Sequence, residues 1–250
     1  MKNKSRKTKV VLVTGAARRI GAEITRVFHQ AGYNIILHYN TSHEDALALK
    51  SELEKQRANS VSLMSLDLIQ NTDWDSLEDK CMQSWGRLDV LVNNASTFYP
   101  TAFGKVTEGQ WNDLIGSNLK APYFLSQALA PCLKEFAGNI VNICDIHGDR
   151  PLKGYSAYSI AKAGLAMMTR GLAKELAPEV RVNGIAPGAI LWPEEQADVK
   201  DGTKATIIRQ IPLKRQGAPE DVANTALFLA RDAPYVNGQI VSVDGGRSLS

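Results

Sequence analysis

The sequence predicts an α/β fold, a single doubly wound domain in which helices cover both faces of a parallel seven-stranded sheet. Three observations predict it. Short apolar runs alternate with longer amphipathic stretches from end to end. The runs are rich in Val, Ile and Leu, the pattern of strands buried on both faces. No internal repeat, low-complexity segment or inter-domain linker interrupts them. Repeated β-α-β units of this kind pack as one three-layer domain.

Each element follows in order. VVLVTG (10–15) ends in a glycine and gives way to a helical pattern over 18–31. NIILHY (34–39) precedes a helix over 43–57, and SVSLMSLD (60–67) one over 73–85. LDVLVNNA (88–95) leads to a long helical stretch, 107–135, that reads as two helices broken near Lys120-Ala121-Pro122. GNIVNICD (138–145) comes before a helix over 156–177, with Pro178 just past its end. VRVNGIAP (180–187) is followed by the one long irregular stretch, 188–217, then a helix over 219–230 and the strand QIVSVDGG (239–246). Asp and Ser mark several helix starts. A gap as long as 188–217 inside a compact domain is usually a functional lid or binding loop.

Composition excludes other classes. Of 250 residues 44% are hydrophobic and 22% charged, the balance of a globular protein and not of a disordered one. No apolar run approaches the roughly 20 residues that a bilayer-spanning helix needs. The net charge is +3, but Lys2, Lys4, Arg6, Lys7 and Lys9 all fall in the first ten residues. The other 24 cations face 26 acids, leaving −2. Residues 1–8 therefore read as a basic disordered arm on a near-neutral domain, 9–250, which gives no charge-based reason to expect nucleic acid. The arm lacks the apolar core of a signal peptide. Cys81, Cys132 and Cys144 are odd in number and widely spaced, and His29, His38, His43 and His147 lack ligand spacing. These features point to a reducing cytoplasm and no structural metal.

The turn after the first strand reads Thr14-Gly15-Ala16-Ala17-Arg18-Arg19-Ile20-Gly21 and opens a helix. Glycines there let the backbone approach a pyrophosphate at a helix N-terminus, and two adjacent arginines have an obvious phosphate partner. An NAD site usually carries Asp or Glu at the end of strand two. Here that region reads His38-Tyr39-Asn40-Thr41-Ser42, with no carboxylate until Glu44. A 2′-phosphate would be met by Arg18, Asn40, Thr41 and Ser42, so the cofactor is expected to be NADPH.

Tyr158 and Lys162 are four residues apart on a helix, hence on one face. A nearby cation lowers a phenol pKa, which makes Tyr158 a candidate proton donor. The YxxxK pattern gains specificity from its place after the fifth strand and from Asn93-Asn94-Ala95 and Asn118.

With these motifs in this order, together with Asp67, Pro187-Gly188 and Val236-Asn237-Gly238, the chain resembles the short-chain dehydrogenases/reductases over nearly its whole length. The resemblance implies a Rossmann-type fold with strand order 3-2-1-4-5-6-7. It implies cofactor contacts from Gly15, Arg18, Arg19, Ile20, Gly21, Asn40, Thr41, Ser42, Asp67, Leu68, Asn94, Ala95, Ser96, Tyr158, Lys162, Pro187 and Gly188. Asp67 would meet the adenine, Asn94 the adenosine side and Lys162 the nicotinamide ribose, with Asn118 supporting a proton path.

Two departures sharpen the substrate. Most members carry a Ser about thirteen residues before the Tyr; here that position is Asp145. A carboxylate cannot donate to a developing alkoxide and repels it. Asp145 suits a substrate presenting N–H groups, or a step in which Tyr158 protonates a ring nitrogen, unless it merely caps or faces water. Second, Arg19 replaces the middle glycine of the turn, and Ser96-Thr97-Phe98-Tyr99-Pro100 follows Asn93-Asn94-Ala95. Arg18-Arg19, that run and Asp145 together are similar to the pteridine reductases of the family. The resemblance implies a pterin stacked on Phe98, with Arg19, Ser96, Asp145, Tyr158, Gly188, Leu191 and Trp192 around it. Trp192 is a candidate wall or a hinge-packing residue. Against this pattern, the arginine that the parasite enzymes place after strand two is Thr41.

The expected activity is NADPH-dependent reduction of a pterin or dihydrofolate C=N bond, with Tyr158, Lys162, Asp145 and Asn118 as the catalytic set. Alternatives are a carbonyl reductase of a 3-oxoacyl-type substrate and an NADPH-binding regulator. The resemblance also implies a homotetramer paired through 119–135 and 156–177, with neither nucleic acid nor membrane as partner.

Overall fold

The computed structural model describes residues 8–71, 73–191 and 201–249. Trp192 and almost all of the basic arm lie outside them. Seven strands, β1 (Val10–Val13), β2 (Asn34–Tyr39), β3 (Val61–Ser65), β4 (Val90–Asn93), β5 (Asn139–Ile143), β6 (Arg181–Pro187) and β7 (Ile240–Val243), form one sheet in the order β3-β2-β1-β4-β5-β6-β7. Every neighbouring pair is parallel.

Strand side chains alternate between two cores. Val11, Val13, Ile35 and Leu37 point toward α1 (Arg19–Gln30), α2 (His43–Glu54) and α8 (Pro219–Arg231), packing with Ile24, Phe28, Leu49 and Val222. Val10, Leu12, Ile36 and Leu91 point the other way, to Leu77 and Cys81 of α3 (Leu77–Met82) and Leu125 and Leu129 of α5 (Ala121–Glu135). Since both faces are covered, apolar residues occupy successive strand positions in place of a polar alternation, and polar exceptions such as His38, Asn93 and Asn142 are hydrogen-bonded. All three cysteines are buried and free, as small hydrophobes should be.

Two helical stretches differ from expectation. The break near Lys120-Ala121-Pro122 does not occur. Instead α4 (Glu108–Ile115) passes through a π-helical turn, Gly116–Lys120, directly into α5. The widened turn shifts the hydrogen-bond register just ahead of Pro122, which has no N–H to donate, so the chain stays helical. The stretch 188–217 is not irregular throughout, because α7 spans Asp201–Gln210. The remaining long helix, α6, spans Ser156–Glu175. Among the described residues no helix is long and apolar enough to cross a membrane.

From β1 the chain winds through β2 to β3 and then returns to place β4 on the opposite side of β1. The order reverses at that point, and the loops beyond the carboxyl ends of β1 and β4 diverge to leave a crevice.

Candidate active site

The candidate cofactor and catalytic residues that the structure describes lie at this carboxyl edge or on α6 and the π turn beside it, whereas Val236-Asn237-Gly238 lie at the opposite edge, where the Asn237 side chain accepts the Val182 N–H at the start of β6. After β1, Thr14 is the hub: its hydroxyl accepts the N–H groups of Asn94 and Ala95, both at 2.9 Å. The Asn94 side-chain amide donates back to the carbonyls of Thr14 (2.9 Å) and Gly15 (3.1 Å). A β-carbon at Gly21 would stand 2.1 Å from the Gly15 carbonyl oxygen, so only glycine lets α1 start this close to β1. Between them Arg19 opens α1 with φ +54°, a left-handed conformation that costs a non-glycine residue about 1 kcal/mol. Ile20 is half-buried, and Arg18 is exposed with its guanidinium 3.8 Å from Asp45 on α2.

His38, the penultimate residue of β2, is buried and bonded through both ring nitrogens. Its Nδ1 accepts the Gly15 N–H at 3.1 Å, and its Nε2 lies 2.9 Å from the Leu66 carbonyl oxygen. Burial pushes its pKa from 6.5 down to about 4. The native imidazole therefore stays neutral where the unfolded one takes a proton. Its stabilising contribution is present above pH 6.5 and lost as pH falls toward 4, a loss of about 3 kcal/mol. Burial lowers His29 in the same direction. Urea midpoints across that window should fall with acid, and His38→Asn should flatten the slope by one proton.

Beyond β2, Asn40 and Thr41 are exposed, and Ser42 immediately precedes α2. Asp67 follows β3 with one carboxylate oxygen accepting the N–H groups of Ile69 (2.9 Å) and Gln70 (3.1 Å); Leu68 beside it is half-buried. Pro187 ends β6, and the Gly188 N–H donates to Val243. Leu191 is exposed past the strand end.

Tyr158 and Asp145 meet directly. The Tyr158 hydroxyl donates to Asp145 Oδ2 at 2.7 Å, while Oδ1 accepts the His147 N–H at 2.8 Å. Asp145 thus caps the short turn Ile146–Gly148 and holds the phenol at the same time. Lys162 is buried; its Nζ donates to the Ile143 carbonyl at 2.9 Å and lies 5.7 Å from the centre of the Tyr158 ring. The expectation that Lys162 lowers the Tyr158 pKa is overturned. Burial, and after it the Asp145 carboxylate, hold the phenol well above 10. Burial pushes Lys162 itself down, partly opposed by Asp145.

Asn118 sits in the π turn, fully buried, its amide donating to the carbonyls of Leu114 and Thr97 at 3.0 Å. The segment after β4 then crosses to the start of α6, where the Thr101 N–H donates to the Gly154 carbonyl. This crossing lays Phe98 on Tyr155 as a parallel stack with ring centres 4.7 Å apart, and edge-on to Tyr158 at 4.8 Å. Ser96 is exposed at the entrance to this segment. Thr14, which opens the turn motif but has no role assigned from sequence, and His38 and Tyr155, which belong to no motif, complete the arrangement. The imidazole inside the apolar run NIILHY is the signal that marks His38.

A family model described as enoyl-(acyl carrier protein) reductase matches residues 15–248. Pteridine reductase 1 of Leishmania tarentolae is 36% identical, the alignment covering 96% of each chain. The chain belongs to the short-chain dehydrogenase/reductase family. It is therefore an oxidoreductase of that family, and its Tyr158-Lys162 pair, Thr14-Asn94 hub and reversal between β1 and β4 stand on a short-chain dehydrogenase/reductase sheet. Other members are similar to the same degree. The 3-oxoacyl-(acyl carrier protein) reductase of Staphylococcus epidermidis is 34% identical over 95% of this chain and 98% of its own. The same-named protein of Thermotoga maritima is 36% identical over 95% and 97%.

Proposed function

We propose that this short-chain dehydrogenase/reductase is an NADPH-dependent pteridine reductase that reduces the C=N bond of a dihydropterin or dihydrofolate. The observation that carries the reading is the Tyr158–Asp145 hydrogen bond. A phenol has one proton. When Tyr158 turns it toward a substrate, Asp145 Oδ2 loses its donor. A pterin presents ring nitrogens that accept a proton and N–H groups that donate, so it replaces the bond it takes. A ketone has no donor to offer and leaves a carboxylate oxygen short of a partner in a confined site.

The dinucleotide fits the crevice: the turn after β1 is closed so tightly that Gly21 admits no side chain, and its Arg18 reaches to 3.8 Å from Asp45 on α2, the helix that Ser42 precedes. Arg18, Arg19, Ile20 and Gly21 would hold its phosphates, with Gly15 opening the turn that carries them. Asp67, Leu68, Asn94, Ala95 and Ser96 would hold the adenosine side, and Lys162, Pro187 and Gly188 the nicotinamide end. When bound, NADPH supplies the hydride. The chain supplies the rest. Tyr158 delivers the proton from its hydroxyl, and Lys162 offsets the charge left on that oxygen. Asp145 orients the phenol and accepts an N–H from the substrate, while Phe98 offers a flat face for the heterocycle. Asn118 supports proton resupply, and Leu191, past the end of β6, would face the substrate. The protein acts in the cytoplasm as a homotetramer, without nucleic-acid or membrane partners.

Arg19 separates binding from stability. Glycine relieves the left-handed strain there, so Arg19→Gly should leave the fold about 1 kcal/mol more stable. The same change should weaken NADPH binding. Thermal unfolding and cofactor titration of one preparation check both signs.

The equal similarity to 3-oxoacyl reductases favours a second reading, a carbonyl reductase. Following NADPH oxidation with dihydrobiopterin, dihydrofolate and a 3-oxoacyl ester in parallel decides between them. Turnover of the oxoacyl ester alone would reject the pteridine reading, and no turnover of any would favour a regulator that only binds NADPH. NADH used in preference to NADPH would reject the cofactor choice.

A further inference from the structure

We infer that His38 is a positioning residue for the dinucleotide: its imidazole ties the glycine turn after β1 to the segment after β3, so that the phosphate and adenine sides of the cradle keep one spacing. The inference rests on the reading that a dinucleotide binds at this turn.

Strand β2 lies between β1 and β3, so a side chain near its carboxyl end can reach the loops of both neighbours. His38 does so. On the β1 side the Gly15 N–H donates to Nδ1 at 3.1 Å; on the β3 side Nε2 faces the Leu66 carbonyl at 2.9 Å. An amide N–H needs a lone pair and a carbonyl needs a proton, so the partners assign one tautomer, with the hydrogen on Nε2. The backbone adds a third tie, because the Ala16 N–H donates to the His38 carbonyl at 2.8 Å.

Each tie ends next to a residue assigned to the cofactor. Gly15 opens the turn that carries Arg18 and Arg19. Leu66 immediately precedes Asp67. A rigid ring that accepts at one nitrogen and donates at the other therefore sets the separation of the two segments. Aliphatic residues cannot do this, and a buried Gly15 N–H facing one would be left unsatisfied. The arrangement also divides the turn. With the N–H groups of Gly15 and Ala16 committed to His38, phosphate contacts fall to the groups from Ala17 onward and to the two arginines.

The test compares wild type with His38→Leu, His38→Asn and His38→Gln, titrated with NADPH and separately with 2′,5′-ADP by calorimetry. Thermal unfolding and steady-state kinetics are run on the same preparations. The expected result is that His38→Leu weakens both ligands by about tenfold, the loss of one buried hydrogen bond. kcat at saturating NADPH should stay within about twofold of wild type, so that the defect falls on KM. His38→Asn keeps an acceptor and should recover part of the affinity. It also keeps the inference testable if His38→Leu does not fold. A core-filling role would instead lower the unfolding temperature and leave both affinities unchanged. Ligand affinities within about twofold of wild type in every folded variant would overturn the inference while leaving the cofactor reading intact. Wild type that binds neither NADPH nor 2′,5′-ADP would overturn both.

Discussion

Asp145→Ser is expected to lower kcat/KM for dihydropterin by about 100-fold or more and to raise reduction of a 3-oxoacyl ester or simple ketone. The substitution exchanges an acceptor for a donor 2.7 Å from the Tyr158 oxygen. A serine hydroxyl can donate to a developing alkoxide, which the carboxylate repels, but it cannot take an N–H and hold the phenol as well. The fold should tolerate the change. Serine caps a helical turn about as well as aspartate, so the His147 N–H keeps a partner. Rates on both substrates, with unfolding temperatures as control, check the exchange. Pterin reduction at the wild-type rate would mean that the carboxylate is incidental to the chemistry.

Tyr158→Phe should lose about 100- to 10,000-fold in kcat, the usual range for removing a positioned acid, while NADPH binds within about twofold of wild type. The pH profile carries more information than the loss. In the folded protein the phenol is held well above 10, first by burial and then by Asp145. It keeps its proton throughout the physiological range, and reduction should show no alkaline limb from Tyr158 below pH 10. A raised native pKa also means that the stabilisation from this group is complete below pH 10. It is lost above that, as the unfolded phenol ionises and the native one does not. Asp145→Asn removes the repelling charge, so an alkaline limb should move down toward the ordinary tyrosine range. The retained proton also predicts poor alcohol oxidation by wild type, because that direction requires the phenolate. Rates of NADP+-dependent alcohol oxidation at high pH measure this directly.

The sheet was legible because its strands announce themselves twice, by apolar runs rich in Val, Ile and Leu and by the glycine, asparagine, aspartate or proline that follows. The tyrosine, lysine, aspartate and Phe98 were legible as a pattern, and the structure brings them together. What could not be read is instructive. The change of pKa direction at Tyr158 follows first from its burial and then from the Asp145 carboxylate that its hydroxyl meets at 2.7 Å, neither of which the YxxxK spacing displays. The continuity of 107–135 depends on a shift of hydrogen-bond register that no residue type signals. Helix α7 follows a Trp-Pro segment and carries its apolar residues without a marked stripe, as DGTKATIIRQ shows. His38 had been set aside with the other histidines because it lacks metal-ligand spacing. Its work is with backbone groups, which sequence does not display.

The turn that carries Asp145 has a mechanical consequence. A β-carbon on Gly148 would stand 2.9 Å from the backbone carbon of Lys162, so the turn after β5 rests against α6 itself. Aspartate, tyrosine and lysine are thereby parts of one rigid body. The segment that bears Phe98 is joined to that body at Thr101, whose N–H donates to the Gly154 carbonyl. The distance between the Tyr158 hydroxyl and the Asp145 carboxylate is thus set once, when the chain folds, and is not rebuilt afterwards.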